Sequence, residues 1–113
     1  MASEKPELLS GTLDLLILRV LNGGPLHGFA IAERIHVLSR DVLTVEEGSL
    51  YPALYRMEAK GWIEPEWGIS PRGRRAKLYA LTKSGRKQLE NEQRIWSRMV
   101  FAIGDVLKNT RAS

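Results

Sequence analysis

Glu47-Gly-Ser-Leu-Tyr-Pro-Ala-Leu-Tyr-Arg-Met-Glu-Ala-Lys-Gly-Trp-Ile63 is the stretch on which the fold turns. Leu50, Leu54 and Met57 recur at i, i+4 and i+7, the spacing of one apolar helix face. Gly48, Ser49, Pro52, Tyr55 and Arg56 then fall on the opposite side. The ring of Pro52 presses on the carbonyl four residues back, that of Gly48, and only a first-turn position lets the clash relax. A helix starting near Glu46 or Glu47 is therefore expected, although Thr44 and Glu47 also fit an earlier capping box. Gly61 supplies the left-handed stop after Lys60.

Two helices precede this one. Leu8 to Leu21 is apolar in nearly every direction, and such a helix must be buried on more than one side, which hints at a partner chain. Asn22-Gly-Gly-Pro25 breaks it, with Pro25 suited to start the next helix. There Ile31, Ile35 and Leu38 form the inner face, and the helix ends near Ser39-Arg40-Asp41. After the quoted stretch, Trp62 to Ile69 and Arg75 to Leu81 read as two strands of a hairpin. Pro65 limits the first to an edge, which an isolated hairpin tolerates. Thr82 then caps a last helix reaching about Lys108, with Leu89, Trp96, Met99, Val100, Ile103, Val106 and Leu107 stepping by threes and fours. The fold class expected is mainly α with a small β-hairpin. It is divided into a winged helix-turn-helix over 8–81 and a dimerisation helix over 82–108, with flexible ends at 1–7 and 109–113.

The 113 residues allow one domain, and 43% apolar with 27% charged residues is a folded composition. There is no Cys and there are two His, which argues against disulfide scaffolds and thiolate zinc sites and leaves no metal site. No Gly-x-Ser-x-Gly, P-loop or His-Glu-x-x-His is present, so an enzyme has no positive support and no cofactor is expected. The apolar run Leu13–Leu21 is too short to span a bilayer, and the opening MASEKPE has no signal-peptide core. A cytoplasmic protein without membrane contact is expected.

Charge is unevenly placed. Between Trp67 and Leu89 lie Arg72, Arg74, Arg75, Lys77, Lys83, Arg86 and Lys87 with no acid, while the other ten bases face thirteen acids. Three helices followed by a hairpin is the order of a winged helix-turn-helix, whose third helix enters the major groove and whose wing lies on the backbone or minor groove. The basic cluster falls on that wing, as binding to double-stranded DNA requires. The rival reading is a protein-interaction module whose basic wing meets an acidic partner.

Candidate DNA contacts follow from position. Ser49 lies near the third helix's start, where helix-start hydrogen bonding competes with a DNA contact; Tyr51 offers a phenol to phosphate or packs as an aromatic core residue. Pro52 and Tyr55 present apolar surface to a thymine methyl, and Arg56 on the same face meets guanine or phosphate unless a salt bridge claims it. Arg72, Arg74 and Arg75 in the loop and Lys77 on the return strand are phosphate or minor-groove contacts. His27 opens the second helix, where it either neighbours a bound phosphate or caps.

The segments GTLDLLILRVL, GPLHGFAIAERI, EGSLYPALYRMEAKGWI and RRAKLYALTKSGRKQL resemble the PadR-like transcriptional regulators over nearly the whole chain. The run S-L-Y-P-x-L-x-R-M-E-x-x-G-W-I is the specific part, and Tyr51 matches the family's tyrosine. The resemblance is to the short subgroup with one C-terminal helix. It implies a homodimer built on the first and last helices, repression of nearby promoters at a palindromic operator, and in some members release by small aromatic ligands. The interface expected uses Leu13, Ile17, Trp96, Met99, Ile103 and Leu107. Trp96, with Met99 and Val100 beside it, either stacks an aromatic effector at the seam, as its counterpart does in multidrug-responsive relatives, or packs as plain dimer core.

Overall fold

The computed structural model describes residues 10–109. The expected helix start at Leu8 and the end segments 1–7 and 110–113 lie outside the described residues. Four helices and one hairpin follow in order: α1 (Ser10–Leu21), α2 (Gly28–Leu38), α3 (Glu47–Ala59), β1 (Ile63–Ile69), β2 (Arg75–Leu81) and α4 (Lys83–Lys108).

Helix α1 runs through the centre. Leu13, Leu15, Ile17, Leu18 and Leu21 are all buried, Ile17 and Leu18 completely, against Ile31 and Ile35 of α2, Leu50, Ala53, Leu54 and Met57 of α3, and Leu89 of α4. The chain thus surrounds its own greasy helix with three others and the base of the hairpin. This corrects the expectation that Leu13 and Ile17 face a partner subunit, since both are already enclosed within one chain. Each such side chain contributes ~1.5–3 kcal/mol on leaving water.

The second helix ends at Leu38 with Ser39 as its cap, as expected, but differs from expectation at its start and in the burial of Leu38. Its first residue is Gly28, capped by His27, whose Nδ1 accepts from the Ala30 N–H at 3.3 Å. Pro25 does not start it, because Leu26 is taken into the sheet: Leu26 and Tyr79 exchange backbone hydrogen bonds of 3.1 and 2.8 Å. Leu38, expected inside, is 65% exposed. The chain there leaves the core into a turn where Arg40 and Asp41 both take positive φ. Nδ1 of His36 donates to the Leu43 carbonyl at 2.9 Å, and the Ser39 hydroxyl accepts from the Leu43 N–H, so this turn between α2 and α3 is tied down.

Strands β1 and β2 pair antiparallel from Ile63↔Leu81 to Ile69↔Arg75. Pro65 sits on β1, whose outer edge is open, while β2 is bridged on its far side by Leu26. The hairpin is therefore not isolated: it is anchored through β2 to the α1–α2 linker. Thr82 caps α4 by accepting from the Gly85 N–H at 2.9 Å and donates to the carbonyls of Gly61 and Trp62. Helix α4 continues past α1, which it still meets around Glu92, Ile95, Trp96 and Met99, and the molecule has principal extents of 62 × 38 × 21 Å.

Gly85 lies directly beneath the Trp62 carbonyl, and a β-carbon there would collide with that oxygen and with the Leu81 side chain. Gly85→Ala should therefore lower stability by ~1–3 kcal/mol or more, the usual cost of overpacking against backbone. Urea denaturation will show this as a lower midpoint at unchanged slope. An unchanged midpoint would mean that the α4 root is loosely packed.

Candidate nucleic-acid interface

The outward side of α3 is built as its periodicity requires. With Leu50, Ala53, Leu54 and Met57 buried, Gly48, Ser49, Tyr51, Pro52 and Tyr55 stand exposed, Tyr55 at 80%. Pro52 lies inside α3, five residues after its first residue, so the carbonyl its ring approaches is in the first turn. Tyr51 leans back over the head of α2. A β-carbon on Gly28 would lie 2.7 Å from its hydroxyl, so Gly28 is what lets the phenol rest there.

Arg56 leaves this outward side. It is about 60° around the helix from buried Ala53, and its Nη2 donates to Oδ1 of Asp14 on α1 at 2.6 Å. Asp14 is only 8% exposed. A carboxylate buried among the apolar side chains of α1 requires a cation, and this is the signal in the sequence for the α1–α3 tie. Burial raises the Asp14 carboxyl above its usual 3.8, outweighing the Arg56 charge and hydrogen bond and the more distant Lys60, which pull it down; Glu92 adds a smaller upward push. The pair therefore fixes how α3 sits on α1 more than it adds net stability.

The wing cations divide by what they touch. Lys77 is turned to the body, 3.3 Å from Oε1 of Glu58 on α3 and 5.1 Å from the centre of the Tyr79 ring. Arg75 stacks on Trp67, its Cζ 4.5 Å from the ring centre. Arg72 and Arg74 are exposed at the tip and make no ion pair or ring contact among the described residues. The tip itself is closed by Ser70 N–H to the Arg74 carbonyl at 2.7 Å and Gly73 N–H to the Ser70 carbonyl at 2.8 Å. Sequence reasoning passes over Asp14, Glu58 and Trp67 because each acts through a residue distant in the chain.

On α4, Trp96, Met99, Val100, Ile103 and Leu107 are all about half or more exposed. Gly11, Thr12 and Leu15 of α1 with Glu92, Ile95, Trp96 and Met99 of α4 line an open cavity of about 290 Å³. Among the described residues no helix is long and apolar enough to cross a membrane, and no three His, Asp or Glu side chains gather as metal ligands.

A helix-turn-helix whose third helix projects an exposed polar and aromatic side, followed by a basic hairpin, is a winged-helix DNA-binding unit. Residues 17–91 match the transcriptional regulator PadR-like family, and the chain belongs to it. Similar solved structures include a PadR family transcription regulator from Clostridium difficile, 32% identical with TM-score 0.72 over 84% of this chain and 97% of that one. Others are a PadR-like transcriptional regulator from Bacillus cereus, 28% identical, TM-score 0.76, over 88% and 94%, and a Streptococcus mutans protein, 26% identical, TM-score 0.82, over 93% and 94%. The chain is also 40% identical over 86 residues to an uncharacterized 37.1 kDa protein of a Streptomyces fradiae transposon, a match that spans 76% of this chain and 23% of that protein.

A carboxyl that binds its proton more tightly in the folded state contributes stability below its unfolded value, and that contribution is lost as pH rises through its folded value. Asp14→Asn cannot titrate. The stability of the parent relative to Asp14→Asn should accordingly fall as pH rises through the window above 3.8, followed by urea midpoints between about pH 3 and 7. The opposite slope would show that the ion pair outweighs burial.

Proposed function

We propose that this protein is a homodimeric, sequence-specific repressor that sets α3 in the major groove and the Arg72–Arg75 tip on the backbone or minor groove. The observation that carries the reading is one of charge accounting. Arg56 and Lys77 are neutralised by Asp14 and Glu58, whereas Arg72, Arg74 and Arg75 keep their charge, on the projecting end of an anchored hairpin. Ser49, Pro52 and Tyr55 are the side chains of α3 left to meet base edges, with the Tyr51 phenol at the flank. His27 caps α2 through Nδ1 and is proposed to stand beside a phosphate at that helix start.

The dimer is proposed to form along α4. Its apolar seam is exposed in one chain, and contiguous apolar surface of that kind favours association. A two-fold pair must set its α3 helices ~34–36 Å apart to read a palindromic operator. The cavity beside Trp96 is lined by Trp96 and Met99 of that seam, and a partner's α4 packed on the seam would close it. A flat aromatic effector held there would act only through binding the non-DNA spacing more tightly, a coupling of ~1–3 kcal/mol.

Sedimentation at micromolar concentration should return about twice the 12.7 kDa chain mass, and a monomer would defeat the dimer. For the interface, Arg72→Ala with Arg74→Ala should weaken binding to every duplex and reduce the salt slope by about 0.9 for each phosphate that is no longer neutralised. Lys77→Ala should change the slope much less, its charge being paired already. Equal effects would place Lys77 in the interface, and no salt-dependent duplex binding at all would favour an acidic protein partner. Titrating planar aromatics should quench fluorescence in the parent and not in Trp96→Phe, while lowering DNA affinity; a parent that does not respond has no effector at this seam.

A further inference from the structure

Two large apolar side chains on the wing lie outside the core: Trp67 is 54% exposed and Ile69 74%. Cross-strand partners in an antiparallel pair share a face. The register therefore places Ile63, Pro65, Trp67 and Ile69 with Leu81, Tyr79, Lys77 and Arg75 on one side, and Glu64, Glu66 and Gly68 with Ala80, Leu78 and Ala76 on the other. The wing is two-sided in charge. One side carries rings and cations; the other carries the two glutamates. Phosphates are attracted by the first side and repelled by the second.

Along the cationic side the rings and charges alternate outward from the core. Lys77 stands over Tyr79, and one step further Arg75 lies over Trp67 at 4.5 Å. The two cations differ in what they retain. Lys77 also meets Glu58, which offsets its charge within the protein. Arg75 has an indole face instead of a carboxylate, and an aromatic face orients a guanidinium without neutralising it, leaving its N–H edges free for an anion. Arg72 and Arg74 keep their charge but have no such support among the described residues.

Resting on the DNA-binding reading above, we propose that Trp67 is a positioning residue that holds the Arg75 guanidinium, on the cationic side of the wing, in the orientation from which it meets a DNA backbone phosphate. This gives the half-exposed indole a purpose on an edge hairpin that has no second layer to pack against. It also explains how a strand residue, rather than the loop tip alone, reaches the backbone in fixed register with α3, since Lys77–Glu58 and Leu26–Tyr79 hold the same strand to the body.

The test uses the full chain and a labelled mixed-sequence duplex of about 30 base pairs at low salt, because phosphate contacts do not depend on sequence. Parent, Trp67→Leu, Trp67→Phe, Arg75→Ala and the Trp67→Leu/Arg75→Ala double variant are compared over a salt series. Trp67→Leu should weaken binding about two- to fivefold, the range for an exposed cation–ring contact, and lower the salt slope in the same direction as Arg75→Ala. Trp67→Phe should recover part of the loss. In the Arg75→Ala background Trp67→Leu should have no further effect, a result that general loss of stability would not produce. If Trp67→Leu fails to fold, Trp67→Phe alone and combined with Arg75→Ala completes the same cycle. Unchanged binding by Trp67→Leu, additive losses in the double variant, or unchanged binding by Arg75→Ala overturns the proposal while leaving the DNA-binding reading intact. A parent that binds no duplex at any salt concentration overturns both.

Discussion

Everything else in the molecule depends on the enclosure of α1. Seven large aliphatic side chains on twelve residues, five of them buried, cannot be left in water, and helices α2, α3 and the root of α4 are each held by laying apolar side chains against them. Because α3 is held from behind in this way, its opposite side is free to be polar and exposed without weakening the fold. The single carboxylate admitted to this apolar centre, Asp14, takes Arg56 as its partner and ties α3 to α1. The buried stripe of Leu50, Ala53, Leu54 and Met57 sets which side of α3 turns outward, and the ion pair draws Arg56 away from that side.

The local features were legible because each is written within a few residues. Pro52 fixes how far back α3 can begin and Gly61 follows its end, and Thr82 starts α4 where a hydroxyl before a run without β-branching should. The strands end at the residues the turn chemistry around Ser70–Arg74 allows. What escaped is non-local. The Leu26–Tyr79 bridge joins positions more than fifty residues apart and overrides the preference of Pro25 for a helix start. Leu38 carries the right period for the core, but the chain departs at the positive-φ turn of Arg40 and Asp41 before the helix face can be used. Arg56 sits on the border between the two sides of α3, where periodicity alone cannot choose, and its direction is settled by a residue forty-two positions earlier.

The candidate interface was legible as a charge distribution and not as a set of available charges. Five cations in α3 and the wing look equivalent in the sequence, yet two of them answer to carboxylates of the body. Those two do structural service by fastening α3 to α1 and the wing to α3, while the remaining three project. Clustered bases in a nucleic-acid-binding fold thus serve two purposes that only the positions of the acids can separate.

The root of α4 gives the long helix a mechanical character. Thr82 accepts from Gly85 and reaches back to the carbonyls of Gly61 and Trp62, so the arm is fastened at the junction where α3 ends and the wing begins. A helix of 26 residues is ~39 Å long. A tilt of about 5° at its fastened end therefore sweeps the free end through roughly 3 Å. Run in reverse, the same leverage is a reduction gear: displacements of several ångströms at the far end of the arm reach the reading head as rotations of only a few degrees. Only motions that turn the root of the arm reach the wing and α3; bending farther along α4 leaves them in place.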